Sequence, residues 1–235
     1  MLFRSEWEVI SVSGTNEAVL EGGLPLLLCG WDIGDVNHAW VCLQPVYVGN
    51  TVCFRVIEEY VVTKAELSVE EFTDEVMLRM SIIRDVAGFP VAWRHYSDSS
   101  AFEFKAAIRR TDLPLDSDMT DAAIVEARSK GEIILEGSAQ VKKAGWQRRR
   151  ANFVAQLFRE NRLHISANCK DVIQMACNLR KASGSTKAGP YIDPEQKEKH
   201  PFDAMSYAIS MFALDEILEG GDPETRSQTD RVFSG

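Results

Sequence analysis

The sequence predicts an α/β layered domain with a mixed central sheet flanked by helices. Three observations predict it. Residues 24–62 hold three consecutive strand-like runs joined by short turns, which read as an antiparallel meander. A capped amphipathic helix follows at 68–87, then a fourth strand at 90–98; a strand reached through a helix pairs in parallel with an earlier one. Beyond it, short strands alternate with helices to the end of the chain.

Each element has its own reason. Residues 1–23 mix short apolar pieces with "EGG" and read as a lead-in segment. Strands are expected at 24–33, 39–48 and 51–62, separated by "GDVN" and "VGN", the second a good hairpin signal. "TVCFRVIEEYVV" is rich in β-branched and aromatic residues, which suit a pleated surface. In "SVEE", Ser68 caps the helix and Glu71 reaches back. Phe72, Val76, Met80, Ile83 and Ala87 then form one buried stripe, and Gly88 and Pro90 end it. "AFEFKAAIRR" suits a helix, "TDLPLDSD" a loop, and 119–131 a short helix. A fifth strand is expected at 132–137, an amphipathic helix at 146–161, a short strand at "RLHIS" and a helix at 169–182. Residues 181–199 have loop composition. The last helix starts at "HPFDAMSYAI", with Pro201 suited to its first turn. This order is that of the RNase H-like fold.

Composition narrows the function classes. A chain of 235 residues forms one large domain or two small ones. No apolar run approaches the roughly 20 residues that span a bilayer, and "MLFRSEWEVI" lacks the apolar core of a secretory signal. The five cysteines are odd in number and form no C-x-x-C pair, so they read as reduced core residues of a cytosolic protein. A formal net charge of −9 argues against a nucleic-acid partner unless basic residues cluster locally. One cluster does: "KKAGWQRRR" holds Lys142, Lys143, Arg148, Arg149 and Arg150, candidates for backbone phosphate contacts. "RKASGSTK" at 180–187 is a second, weaker candidate.

The chemistry-bearing signal is a set of acids. "LLLCGWDIGD" runs an apolar strand into Asp32, and "PVAWRHYSD" ends a second strand on Asp98. If those strands are parallel neighbours, both carboxylates arrive at the sheet edge where open α/β sheets bind ligands. Asp203 sits in the first turn of the last helix. Crowded carboxylates repel one another unless a cation joins them, and oxygen donors point to Mg²⁺ or Mn²⁺. Two such ions, about 3.5–4 Å apart, are the usual apparatus for displacement at phosphorus. His200 shares a helix face with Asp203 and is a further candidate ligand or water-mediated neighbour. Glu58, ending the third strand, is another candidate. The competing structural readings are a helix cap for Asp98, a helix-dipole partner for Asp203 and a solvated edge charge for Glu58. His38, after a turn, reads as a surface residue. Trp31, Trp93 and Tyr207 read as packing.

Three segments carry a family resemblance: "GWDIGDVNHAW" with its G-x-D-x-G core, "YSDSSA" with D-x-x-A, and "HPFDAMSYAI" with D-A-x-x-Y. Together with "RRRANFVAQLFRENRLHISANC" they resemble the C-terminal nuclease domain of phage terminase large subunits, over about residues 26–215. The resemblance implies an RNase H-like nuclease domain at 24–220 and two-metal, largely sequence-nonspecific cleavage of double-stranded DNA by Asp32, Asp98 and Asp203; residues 221–235 read by their own composition as a flexible tail. It also implies a packaging machine in the cytoplasm of an infected bacterium, with an ATPase domain, a portal and a small terminase subunit as partners. Two departures stand out. Lys199 and His200 occupy the place where the family often has a further acid. No G-x-x-x-x-G-K-[ST] occurs, so the sequence reads as the domain without its motor.

Three other readings compete. Resolvases and transposases share the fold and the acids. Actin-like and sugar-kinase folds also open on G-x-D-x-G, but "SDSSA" offers them no second phosphate loop. A non-catalytic docking module would carry a decayed site, and Lys199 with His200 in place of acid is the feature that suggests it.

Overall fold

The computed structural model describes residues 16–34, 37–62, 67–98, 134–138, 146–182, 192–193 and 195–218. For residues 16, 98, 134–138, 146 and 214–218 the description covers the backbone alone. The described strands are β1 (Asn16–Ala18), β2 (Leu20–Glu21), β3 (Leu24–Ile33), β4 (His38–Val48), β5 (Thr51–Val62), β6 (Ala92–Asp98), β7 (Ile134–Ser138) and β8 (Leu163–Ile165). The helices are α1 (Val69–Ala87), α2 (Trp146–Arg159), α3 (Lys170–Asn178) and α4 (Lys199–Leu218).

The main sheet has the order β7-β6-β3-β4-β5-β8. The meander β3-β4-β5 is antiparallel, while β3–β6, β6–β7 and β5–β8 are parallel. The first long strand therefore lies beside the strand that follows α1, in parallel, as the order of elements predicts. β3 is nearly continuously apolar because both its faces are covered. Leu26 and Leu28 enter a core shared with Phe153, Val154 and Leu157 of α2, Val172 and Met175 of α3, and the inner face of α4. Leu27, Cys29 and Trp31 enter a second core with Phe72, Val76, Met80 and Ile83 of α1. Helix α1 thus covers one face, and α2, α3 and α4 cover the other. The mixed sheet flanked by helices is an RNase H-like architecture.

Local signals account for the ends of α1. Ser68 Oγ accepts from the Glu71 N–H at 3.2 Å while Glu71 Oε2 accepts from the Ser68 N–H at 2.8 Å. Gly88 closes the helix at φ 72°, a conformation glycine takes without Cβ strain.

Three features depart from the sequence reading. Residues 16–21, expected as a lead-in, extend the sheet: β1 pairs with β4 and β2 with β3. Glu21 is tied to the buried Arg94 at 3.0 Å. His38, expected on the surface, is buried, because pairing with β3 starts one residue earlier than read, at Ile33 and His38. Helix α3 is shorter than the expected 169–182. The helices expected at 101–110 and 119–131, the loop between them, the turn residue Asp35, most of the 181–199 loop and the 221–235 tail lie outside the described residues. The five cysteines are free thiols and four are buried. No described helix is long and apolar enough to cross a membrane.

Candidate functional site

A glycine sets the site. Gly30 lies two residues before Asp32 on β3, and a Cβ there would overlap the carbonyl oxygen of Ala204 in α4. Without that Cβ, the α4 backbone rests directly on the strand. Asp203, the residue before Ala204, and His200, one turn earlier, are thereby brought over the carboxyl end of β3. Alternation along the strand does the rest: Trp31 packs toward α1 and Asp32 faces α4.

Asp32 is 9% exposed, and its Oδ2 lies 2.7 Å from Nδ1 of His200. The other ring nitrogen of His200 lies 3.1 Å from Nδ2 of Asn37. With its proton on Nδ1, the imidazole donates to Asp32 and accepts from Asn37. Both nitrogens are engaged, so His200 orients the carboxylate. Burial pushes the Asp32 carboxyl above its ordinary range; the His200 hydrogen bond opposes this, and the Asp203 charge adds to it.

Asp203 is 2% exposed, and both its oxygens are taken. Oδ1 accepts from Nη2 of Arg150 at 2.9 Å, and Oδ2 pairs with Nζ of Lys199 at 2.8 Å. Lys199 reaches Asp203 across one helical turn, the i,i+4 spacing. Burial disfavours the charged Lys199, but the Asp203 and Asp32 carboxylates outweigh it and raise its pKa. The Arg150 guanidinium lies 4.1 Å from the centre of the Tyr207 ring, while its Nε and Nη1 have no hydrogen-bond partner among the described residues. The aromatic face takes the place of those bonds.

Asp98 ends β6. The β3–β6 register runs to Trp31 and Ser97, so Asp32 and Asp98 each stand one residue beyond the last pair, on neighbouring strands. The structure thus brings the Asp98 backbone beside Asp32. Among the described residues no group of three or more His, Cys, Asp or Glu side chains is gathered as a metal cluster; the Asp98 side chain lies outside that description.

Other expected residues are placed elsewhere. Glu58 pairs with Cys42, whose side chain belongs to the α1-side core, and binds Arg79 of α1 at 3.1 Å. It sits on the face opposite Asp32 and is not a ligand candidate in this arrangement. Its neighbour Glu59 faces the other way and accepts from the N–H groups of Asp171 and Val172, both at 2.8 Å, at the start of α3. Arg150, expected at DNA phosphates, is an internal partner of Asp203 and only 4% exposed. Arg148 and Arg149 are partly exposed on α2; Lys142 and Lys143 lie outside the described residues. Two participants were missed. Lys199 had a readable signal, its i,i+4 spacing to Asp203. Arg150 falls three, four and seven residues before Phe153, Val154 and Leu157, and so within the inward stripe of α2.

Comparison with known proteins yields no matching family model and no matching curated protein. Solved structures do match. The large terminase of the thermophilic bacteriophage D6E superposes with TM-score 0.54 at 13% identity in one crystal form, and 0.53 at 15% in another. Each match covers 83% of this chain and 42% of the D6E chain, so this chain spans less than half the length of that protein. The nuclease domain of the bacteriophage SPP1 large terminase, solved with bound Mn, matches less closely, with TM-score 0.49 at 16% identity, over 79% of this chain and 86% of that one. In its strand order, its two covered faces and its fold likeness, the chain shares the RNase H-like fold of the matched part of the D6E large terminase.

Proposed function

We propose that the chain is the nuclease part of a DNA-packaging terminase large subunit. In this reading it hydrolyses phosphodiester bonds of double-stranded DNA, with little sequence specificity, using Mg²⁺ or Mn²⁺. The observation that carries the reading is the convergence of Asp32 and Asp203, 171 positions apart in the chain, at the carboxyl end of β3, with Asp98 in the adjacent strand position. Fold likeness to the D6E large terminase supports it.

The residues fit a hard divalent ion on the β3 side. Asp32 offers oxygen donors, and its contact with His200 is the kind of outer hydrogen bond that orients a ligating carboxylate. Asp32 and Asp98 would hold the ion. A bound ion of this class lowers the pKa of a water and stabilises charge developing on phosphoryl oxygens. His200, braced by Asn37, keeps Asp32 turned toward the site. Arg150 and Lys199 neutralise Asp203, the carboxylate beside it. Lys142, Lys143, Arg148 and Arg149 would contact backbone phosphates along the approach to α2. The ATPase domain, portal and small terminase subunit would be the partners, in the cytoplasm of an infected host.

One observation favours a competing reading. The ion pairs on Asp203 are what a docking module with a decayed site would also show. Plasmid cleavage by the Asp32→Asn variant tests the proposal. The amide can still accept from His200, so the fold should persist by circular dichroism while Mn²⁺-dependent cleavage is lost. Cleavage at the wild-type rate would remove Asp32 from the chemistry. A wild-type protein that neither cuts nor binds the ion would leave the docking module.

A further inference from the structure

Two carboxylates converge at this site, yet they are not equivalent. Asp32 has one oxygen held by a histidine. Asp203 has each oxygen held by a cation, Arg150 on Oδ1 and Lys199 on Oδ2. Arg150 is locked: it is 4% exposed, stacked 4.1 Å from the Tyr207 ring, and part of the inward face of α2. Its departure would leave Asp203 buried with half its partners. Lys199 is the accessible member, with its side chain about a quarter exposed, and it is held to Asp203 by helical spacing alone.

Charge counting sharpens the contrast. Two monovalent cations carry the charge of one divalent ion, and here both are applied to the one carboxylate a second ion would need. Adding a second divalent ion beside Arg150 and Lys199 would gather surplus positive charge in a place nearly closed to water, where such repulsion is weakly screened. It would also have to displace an ion pair whose oxygens have little access to solvent.

We propose that Arg150 and Lys199 together take the place of one of the two divalent ions, so that the site binds a single ion, at Asp32. This inference rests on the metal-dependent reading above and departs from the two-ion count that the family resemblance implies. Lys199 then has a defined role: its ammonium holds the Asp203 side of the site at the charge a metal would otherwise supply. It is a resident cation that does not dissociate when divalent ions are scarce.

Counting ions tests this without reference to cleavage. Full-length protein is titrated with Mn²⁺ by calorimetry, and bound Mn²⁺ is examined by electron paramagnetic resonance. Wild type should bind one ion per chain, with the spectrum of an isolated Mn²⁺, and Asp32→Asn should bind none. Lys199→Glu, which replaces the ammonium with a carboxylate, should bind two and show exchange coupling between them. Lys199→Met, which only removes the ammonium, should admit a second ion more weakly. Two ions on the wild type would overturn the proposal and leave the nuclease reading standing. No ion on the wild type at millimolar Mn²⁺ would remove both. One ion on each folded Lys199 variant would show that Lys199 does not exclude the second. If neither variant folds, the wild-type count alone still decides the stoichiometry.

Discussion

Nδ1 of His200 lies 2.7 Å from Oδ2 of Asp32, joining the first turn of α4 to the end of β3 across 168 positions of sequence. This contact ties the final helix to the strand acid through side chains, in addition to the backbone packing at Gly30. Its loss should be felt at the site and little in the fold.

His200→Ala should therefore lower cleavage by about 10–100-fold, the usual cost of removing a partner that orients a ligand. His200→Asn, whose amide can donate from a position near the lost Nδ1, should recover much of it. Initial rates on supercoiled plasmid at fixed Mn²⁺ would measure both. Equal rates for the two variants would mean that the ring serves some other purpose.

Gly30→Ala tests the backbone contact. The added methyl meets the main chain of α4, which cannot rotate away as a side chain could. A destabilisation of about 3 kcal/mol, the upper part of the range for overpacking, is expected in urea denaturation. Cleavage should fall as well, since the displaced helix carries Asp203 and His200.

Arg150→Met should destabilise the fold by about 2–4 kcal/mol, below the full cost of breaking a buried pair because Lys199 remains on Asp203. Adding Asp203→Asn to that variant should restore part of the loss, since the two residues are directly coupled. Additive losses would show that the ion pair contributes nothing to stability.

His95 supplies a pH dependence. It is fully buried, its Nδ1 accepts from Trp31 Nε1 at 2.9 Å, and burial lowers its pKa to about 3. An unfolded histidine titrates near pH 6.5. Below that value the unfolded chain takes up a proton that the folded chain refuses, so stability is full above about pH 6.5 and is lost as pH falls toward 3. The limiting slope is about 1.4 kcal/mol per pH unit. Urea midpoints between pH 7.5 and 5.5 should fall in the wild type and fall less in His95→Gln.

Glu58→Gln provides the negative control. Glu58 binds the partly exposed Arg79 on the α1 face, so the substitution should cost under about 1 kcal/mol and leave cleavage unchanged. A strong loss of Mn²⁺-dependent cleavage would return Glu58 to the site.

The long elements were legible because their local signals and their burial agree. β3 and β5 begin and end where their apolar and β-branched runs do, and α1 carries both a capping box and a closing glycine. The strand-end placement of Asp32 and Asp98 was legible for the same reason. Less legible were features decided by partners distant in sequence. β1 and β2 are three and two residues long, and they exist as strands only because β4 and β3 offer edges to pair with. Arg150 sits in a run of three arginines that reads as a solvated basic face; its role depends on Asp203 and Tyr207, 53 and 57 positions away. Helical periodicity sets it apart from Arg148 and Arg149, since it falls in register with Phe153, Val154 and Leu157, but the sequence reading grouped all three as phosphate contacts. Glu58 and Glu59 look equivalent in sequence. The register shift between Cys42 and Leu43 decides which of them faces α1.

The close seating of α4 on Gly30 has a consequence for how this centre can be altered. The separation between the strand acid and the helix acid is set by main chain against main chain, so no choice of neighbouring side chain can widen or narrow it without unseating the helix. Selection for a different ion, or for none, would have to act through the exchangeable groups at positions 199 and 200. Those two positions are the tuning points of an otherwise rigid frame.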